Sequence, residues 1–239
     1  MGKENILCVK RQVRRSFFIV HHRQRKAHVK KIISLFQRNY DTDKLVRPEI
    51  VPGADWVIKG EGFATQKLDG TCCLVRDGQL YKRYQFKPKV KGIDASVYPK
   101  GFIQADAPDP HTGEVVGWVP VSPDAPEDKF HREAWKNTNV LHENWTYELI
   151  GPRINKNRHR ATEHVLIPHG KIVMPDAPRS FVELQHYFQD AYNQGSVIEG
   201  IVWWRSEDLN CDKVKIKVKD FGIKEKPAPA CACGDIKHL

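Results

Sequence analysis

The chain has 239 residues, 40% hydrophobic and 28% charged, with a mean hydropathy of −0.56, enough for one sizeable core. Nothing in it approaches the run of about 18 apolar residues that a membrane span needs, and the opening MGKENILCVKRQVRR lacks the apolar core of a signal peptide. A helical membrane protein is thus argued against, a reducing compartment (cytoplasmic or nuclear) is expected, and the net charge of +10 favours a polyanionic partner.

The positive excess is concentrated near the start. From Lys10 to Lys31 the chain carries Arg11, Arg14, Arg15, Arg23, Arg25, Lys26 and Lys30, with His21, His22 and His28 and no acid. Such a run is either a solvated face or a phosphate-contacting one. Val29, Ile32, Ile33 and Phe36 fall at helical spacing, which predicts a basic amphipathic helix over 24–40, ended by Asp41-Thr42-Asp43.

From Trp56 to Tyr84 the texture turns to β: TCCLVR, then Asp77-Gly78, then QLYKRYQF, the pattern of a hairpin. Cys72 and Cys73 are neighbours that cannot easily pair with each other, so they are expected as small buried strand residues. Residues 85–128 are rich in Pro, Gly, Asp and Lys and predict loops, interrupted by GEVVGWVPV. Strands resume at WTYELIG (145–151) and HVLIPHGKIV (164–173). SFVELQHYFQDAYN (180–193) predicts a helix capped by Ser180, with Glu183 completing the capping box. The last strong feature is a strand pair, SVIEGIVWW and KVKIKVK, separated by RSEDLNCD. Beyond Phe221 lies a short tail whose Cys231, Cys233 and His238 could bind a metal ion, although their spacing is no recognised zinc pattern and a disordered tail is the alternative. With no repeat and no clean linker, one α+β domain is expected.

Neither a P-loop nor a Rossmann glycine pattern occurs, so a nucleotide would have to be used in another way. One such way is covalent: a lysine amine attacks the α-phosphate of ATP and keeps the AMP. Lys67, in ATQKLDGTCC, stands alone between Gln66 and Leu68 and is followed by Asp69-Gly70. A free lysine, with a pKa of about 10.4, must be pushed down by burial or by neighbouring cations to act as a nucleophile. KVKIKVK supplies cations. Alternation puts Lys213, Lys215, Lys217 and Lys219 on one face and Val214, Ile216 and Val218 on the other. The lysine face is either open to water or lines a phosphate-filled cleft. Glu199-Gly200 suits a metal ligand with close backbone approach, and Glu148 is a second acid in an apolar strand, where a salt-bridge partner is the plainer reading.

These residues carry a resemblance. KLDG around Lys67 resembles motif I, Lys-x-Asp-Gly, of the covalent nucleotidyltransferase superfamily of ATP-dependent ligases and mRNA capping enzymes. Arg83 follows at a short distance, YELIG resembles motif III, EGIV matches motif IV, and Lys217-Val-Lys219-Asp220 resembles motif V, with Lys215-Ile-Lys217 fitting it equally. The TCC after KLDG, GWVPV, LIPHG and IEGIVW resemble the 5′–3′ RNA ligase family of vertebrates, viruses and microbes.

The resemblance implies an ATP-grasp-like adenylation fold of antiparallel sheets flanked by helices. It would occupy residues 46–222, after a basic, partly helical segment (1–45) and before a tail (223–239). It also implies three steps: lysyl-AMP formation, AMP transfer to an RNA 5′-phosphate, and attack by a 3′-hydroxyl that expels AMP. Lys67 would be the nucleophile, Arg83 would contact the ribose or the RNA 5′-phosphate, and Glu148 the ribose hydroxyls. Lys217 with Lys219, or with Lys215, would hold the α-phosphate, while Thr65 and the backbone at Gln66 read adenine beside Ile167 or His169. ATP and Mg²⁺ are the implied cofactors, with Mn²⁺ as a substitute and Glu199 and Glu148 as metal ligands. The implied partner is RNA with 5′-phosphate and 3′-hydroxyl ends, met by a monomer. The sequence after Lys219, about twenty residues, is too short for an OB barrel, so no OB-fold domain is expected. A catalytically silent RNA-binding protein and a DNA nick ligase are the competing readings.

Overall fold

Strands dominate because short β-branched and aromatic runs such as WTYELI and GIVWW are buried almost end to end, whereas KVKIK alternates buried and half-buried side chains. The computed structural model describes residues 32–87, 98–139 and 141–224. In chain order these form β1 (Ile33–Ser34), β2 (Phe36–Arg38), β3 (Val46–Ile50), α1 (Asp55–Ile58), β4 (Phe63–Lys67), β5 (Thr71–Arg76), β6 (Gln79–Phe86) and β7 (Ile103–Gln104). They continue with β8 (Val115–Pro120), α2 (Lys129–Asn137), β9 (Trp145–Ile150), β10 (Val165–Pro168), α3 (Phe181–Asn193), β11 (Gly200–Trp204) and β12 (Lys213–Lys217).

Two main sheets result. One runs β10-β9-β5-β6-β8-β7 with every pair antiparallel. The other runs β1-β12-β11-β4, antiparallel except for the short parallel edge pair β1–β12. This is a mixed architecture of mostly antiparallel sheets and few helices, compatible with the expected α+β class.

Each sheet buries one face under a helix. Leu184 and Phe188 of α3 pack on Ala64, Ile201, Trp203, Val214 and Ile216 of the four-stranded sheet. Ala134 of α2 packs on Cys73, Val75, Tyr147, Leu149 and Leu166 of the six-stranded sheet. Because strand side chains alternate, the next residue along each strand faces the other way, towards the opposite sheet. At the start of β9, Trp145 stacks on Trp204 of the four-stranded sheet with ring centroids 6.2 Å apart, tying the two sheets together. The cleft beside this stack is where the polar residues collect.

Several local expectations are met. β5 and β6 form the hairpin, with Asp77 and Gly78 both at positive φ (52° and 69°), as its turn requires. The Ser180–Glu183 capping box starts α3. Among the described residues Cys72 and Cys73 are free strand residues; Cys73 is fully buried in β5 as expected, but Cys72 is only half-buried.

Three expectations need correction. The helix placed over 24–40 is instead strand from Ile33 onward, while 24–31 lies outside the described residues. IISLF satisfies both periodicities over so short a run, and the open edge of β12 decides between them: Leu35 N–H donates to Lys215 O (2.8 Å) and Leu35 O accepts from Val51 N–H (3.0 Å). The strand read as KVKIKVK ends at Lys217, not at Lys219. The Asp220 carboxylate accepts the Lys217 N–H (2.9 Å) and turns the chain into a 3-10 turn, Val218–Phe221. The strand read over 164–173 is only Val165–Pro168, after which the chain crosses to bridge Thr65 through Val173. The helix α2 was not anticipated at all; Pro126 and Asp128 before it, and Phe130 and Ala134 one turn apart, are the signals that mark it. Cys231, Cys233 and His238 lie outside the described residues.

Candidate active site

The site is built on a row of three residues across the four-stranded sheet. Gly200 of β11 pairs with Lys67 of β4 on one side and with Lys217 of β12 on the other. Only glycine fits between them: a Cβ there would lie 2.1 Å from Ile216 O and 2.9 Å from Lys217 Cα. Glu199, immediately before β11, reaches both flanking amines. Lys67 Nζ donates to Oε2 (2.7 Å) and Lys217 Nζ to Oε1 (2.5 Å). Burial pushes the Glu199 carboxyl up, but the two lysines outweigh it and hold it below the usual carboxylate range.

Lys215 lies two residues before Lys217 on the same face and makes no ion pair among the described residues. Burial, with Lys217 and Lys67 nearby, pushes its amine down to about 8. The strand therefore presents Lys215 and Lys217 to the cleft, whereas Lys219 sits exposed on the following turn.

The turn after Lys67 explains the Asp-Gly that follows it. The Asp69 N–H donates to His159 Nε2 (2.9 Å), and its carboxylate accepts from Asn155 Nδ2 (2.8 Å) and Arg158 Nε (3.0 Å). Gly70 N–H donates to Glu148 Oε1 (2.9 Å), and a Cβ on Gly70 would strike Leu149 O at 2.3 Å. Lys67 is thus fixed through its own chain to the second sheet. The loop that grips it includes three consecutive left-handed residues, Asn155, Lys156 and Asn157 (φ 43°, 59° and 50°). Left-handed backbone costs roughly 1–2 kcal/mol per residue. The hydrogen bonds of Asn155 to Asp69 and Gly70, and of Asn157 to Ala161, offset that cost. His159, whose burial pushes its pKa down, Asn155 and Arg158 were all missed by sequence reading. The basic, asparagine-rich GPRINKNRHR is the feature that could have drawn notice.

The opposing wall comes from the six-stranded sheet. Glu148 lies directly between Cys72 of β5 and Ile167 of β10 in the strand register. Its Oε2 is 2.8 Å from His169 Nε2, and His169 Nδ1 is 3.0 Å from Thr146 Oγ1. Ile167 and His169 therefore both flank Glu148. Burial, with Glu148 adding to it and Arg83 and Lys67 opposing, pushes the Cys72 thiol up to about 12. Arg83, on β6, lies with its guanidinium 5.4 Å from the Trp118 ring centre.

Most of the expected set thus converges: Lys67, Glu199, Lys215 and Lys217 on one wall, Glu148, Ile167, His169 and Arg83 on the other. Besides Lys219, two residues do not bring their side chains in. Thr65 shares the Lys67 face but is 2% exposed, and its hydroxyl already donates to Val202 O and accepts from Trp204 Nε1, both at 3.1 Å. Gln66 alternates towards the α3 side, and its N–H donates to Ile172 O (2.9 Å).

Chemically the cleft combines the amines of Lys67, Lys215 and Lys217, which match an anion, with the carboxylates of Glu199 and Glu148. The oxygens of Glu199 and Glu148 suit a hard ion such as Mg²⁺. Among the described residues no helix is long and apolar enough to cross a membrane. No protein-family model matches the chain. The chain is similar to RNA ligase 1 of Danio rerio, 28% identical across 67% of this chain and 67% of that protein.

Proposed function

We propose that this protein is an ATP-dependent RNA ligase that joins 5′-phosphate and 3′-hydroxyl ends through a lysyl-AMP and an RNA-adenylate. The similarity to a protein named RNA ligase 1 supports the class. The observation that carries the mechanism is the pair of amines, Lys67 and Lys217, held on one buried carboxylate, Glu199, with Lys215 alongside.

In this reading Lys67 Nζ, having lost its proton, forms a bond to the α-phosphorus of ATP as the bond to pyrophosphate breaks. Lys215 and Lys217 face the charge that develops on the phosphate, in a setting where water is largely excluded and fixed charges count for more. AMP then passes to the 5′-phosphate of RNA, freeing Lys67, and a 3′-hydroxyl attacks that phosphate and expels AMP. Glu199 and Glu148 would hold Mg²⁺, which when bound neutralises polyphosphate charge. Taking Glu199 onto a cation would release both lysines from their ion pairs, so the same carboxylate parks the nucleophile and frees it.

Intact mass after incubation with ATP and Mg²⁺ tests the first step. One added AMP is expected in the wild-type chain and none in Lys67→Ala. No adduct in the wild type would leave the silent RNA-binding reading. Matched RNA and DNA ends offered to the adenylylated protein separate an RNA ligase from a DNA nick ligase.

A further inference from the structure

Cys72, Glu148 and His169 bring one thiol, one carboxylate and one imidazole within 4.8 Å of one another, the one such cluster among the described residues. We propose that these three side chains form a site for a thiophilic divalent cation of the zinc class, and that its occupation shuts the nucleotide cleft.

The donor set selects the ion. A thiolate and an imidazole favour zinc-like metals over Mg²⁺, whose preference is for oxygen. Three protein ligands with a fourth position open to a cleft is the arrangement of a metal site that still exchanges ligands. Bonds of about 2.0–2.3 Å put the donors of one tetrahedral ion roughly 3.3–3.8 Å apart, so the three atoms, now within 4.8 Å of one another, have to shift by only about an ångström.

The cluster is also held in advance. Cys72 and Glu148 are directly paired residues of adjacent strands, β5 and β9. Gly70 N–H fixes Glu148 through Oε1, leaving Oε2 for the cluster. His169 is anchored at its backbone by Thr146, to whose carbonyl its N–H donates (3.0 Å), and by Trp145, whose indole donates to its carbonyl (3.0 Å). Its Nδ1 partner is the Thr146 hydroxyl, which can donate or accept. Without metal, Nε2–H donates to Glu148 while the hydroxyl donates to Nδ1. With metal, Nδ1–H donates to the hydroxyl and Nε2 offers its lone pair to the ion. Outer partners of this kind orient metal-bound histidines. Binding breaks the Cys72 S–H bond, forms a sulfur–metal bond and releases one proton to solvent.

The metal site stands on this geometry alone. The shut-off rests on the proposed function, because the resemblance behind it sets Glu148 at the ribose hydroxyls or Mg²⁺ and His169 beside adenine.

Cobalt(II) titrated into the full-length chain is the direct probe. A thiolate-to-cobalt charge-transfer band should appear, vanish in Cys72→Ser and in His169→Ala, and persist when Cys231 and Cys233 are both changed to Ser. A band that survives Cys72→Ser, or is lost with the tail cysteines, overturns the site. For the shut-off, zinc should suppress the AMP adduct in the wild type. Cys72→Ser should form the adduct without zinc and need at least ~10-fold more zinc to lose it. Equal suppression in both overturns the switch. If the wild type forms no adduct even without zinc, the ligase reading and its dependent switch fail together, and the cobalt band alone decides the metal site.

Discussion

Glu199 holds Lys67 and Lys217 at once, at 2.7 and 2.5 Å, so the roles of the two amines have to be separated by chemistry rather than by position. Lys67→Ala should fail with ATP and ordinary 5′-phosphate RNA yet still join RNA supplied with 5′-AMP, since only the 3′-hydroxyl attack remains. Lys217→Ala should impair both reactions about 10²–10³-fold, roughly 3 kcal/mol, as other removed charge-stabilising donors do. Single-turnover rates on the two RNA substrates check this, and a Lys217 variant that loses only the ATP-dependent reaction would contradict its role. Lys215 makes a separate prediction. Its folded pKa of about 8 lies below the ordinary 10.5, so the unfolded chain binds more protons between those values and stability rises with pH across that window. Lys215→Met should flatten the rise and stabilise the protein at neutral pH by roughly 1–3 kcal/mol. Urea melts at pH 7 and at pH 10 measure both effects, and an unchanged pH slope would mean that Lys215 is solvated.

At the scale of elements, the site depends on how closely β4, β11 and β12 approach at Gly200. A methyl group there meets backbone, not a flexible side chain, so it cannot be accommodated by rotation. Gly200→Ala should cost about 1–3 kcal/mol and lower adenylylation further by spreading Lys67 and Lys217. Melting temperature and adduct formation report the two losses separately, and a variant of wild-type stability would show that the strands can part cheaply. The elements also account for what was misread. Lys219 leaves the lysine face because one carboxylate, Asp220, captures the Lys217 N–H, an event that alternation cannot foresee. IISLF joins a sheet because an edge strand 180 residues away offers it hydrogen bonds, which outweigh a local spacing that also fits a helix.

For the whole molecule, two sheets covered on their outer faces by α2 and α3 leave their inner faces to a cleft that draws on both. The basic segment, Lys10 to Lys31, lies outside the described residues and carries much of the chain's positive excess. Removing residues 1–25 should weaken RNA joining and flatten its dependence on salt, because several phosphate contacts go, while AMP adduct formation survives. Joining rates across a salt series, beside intact mass, test this. Loss of both activities would show that the segment supports the fold.

What the sequence determined by itself was local or covalent in character. The hairpin at Asp77-Gly78, the capped α3, the paired strands around RSEDLNCD and the candidates Lys67, Glu148, Glu199 and Lys217 follow from turn chemistry, alternation and motif order, all of which act within a few residues. Tertiary structure decided the rest, because it depends on partners far along the chain. It chose Lys215 over Lys219 for the cleft and turned the Thr65 hydroxyl inward onto Trp204. It set His159, Asn155 and Arg158 on Asp69. It also carried His169 across to Glu148 and Cys72, a meeting of three segments whose spacing in sequence carries no trace of it. Side chains from strands that pair only after folding share a site because the register brings them level, and register is a property of the sheet.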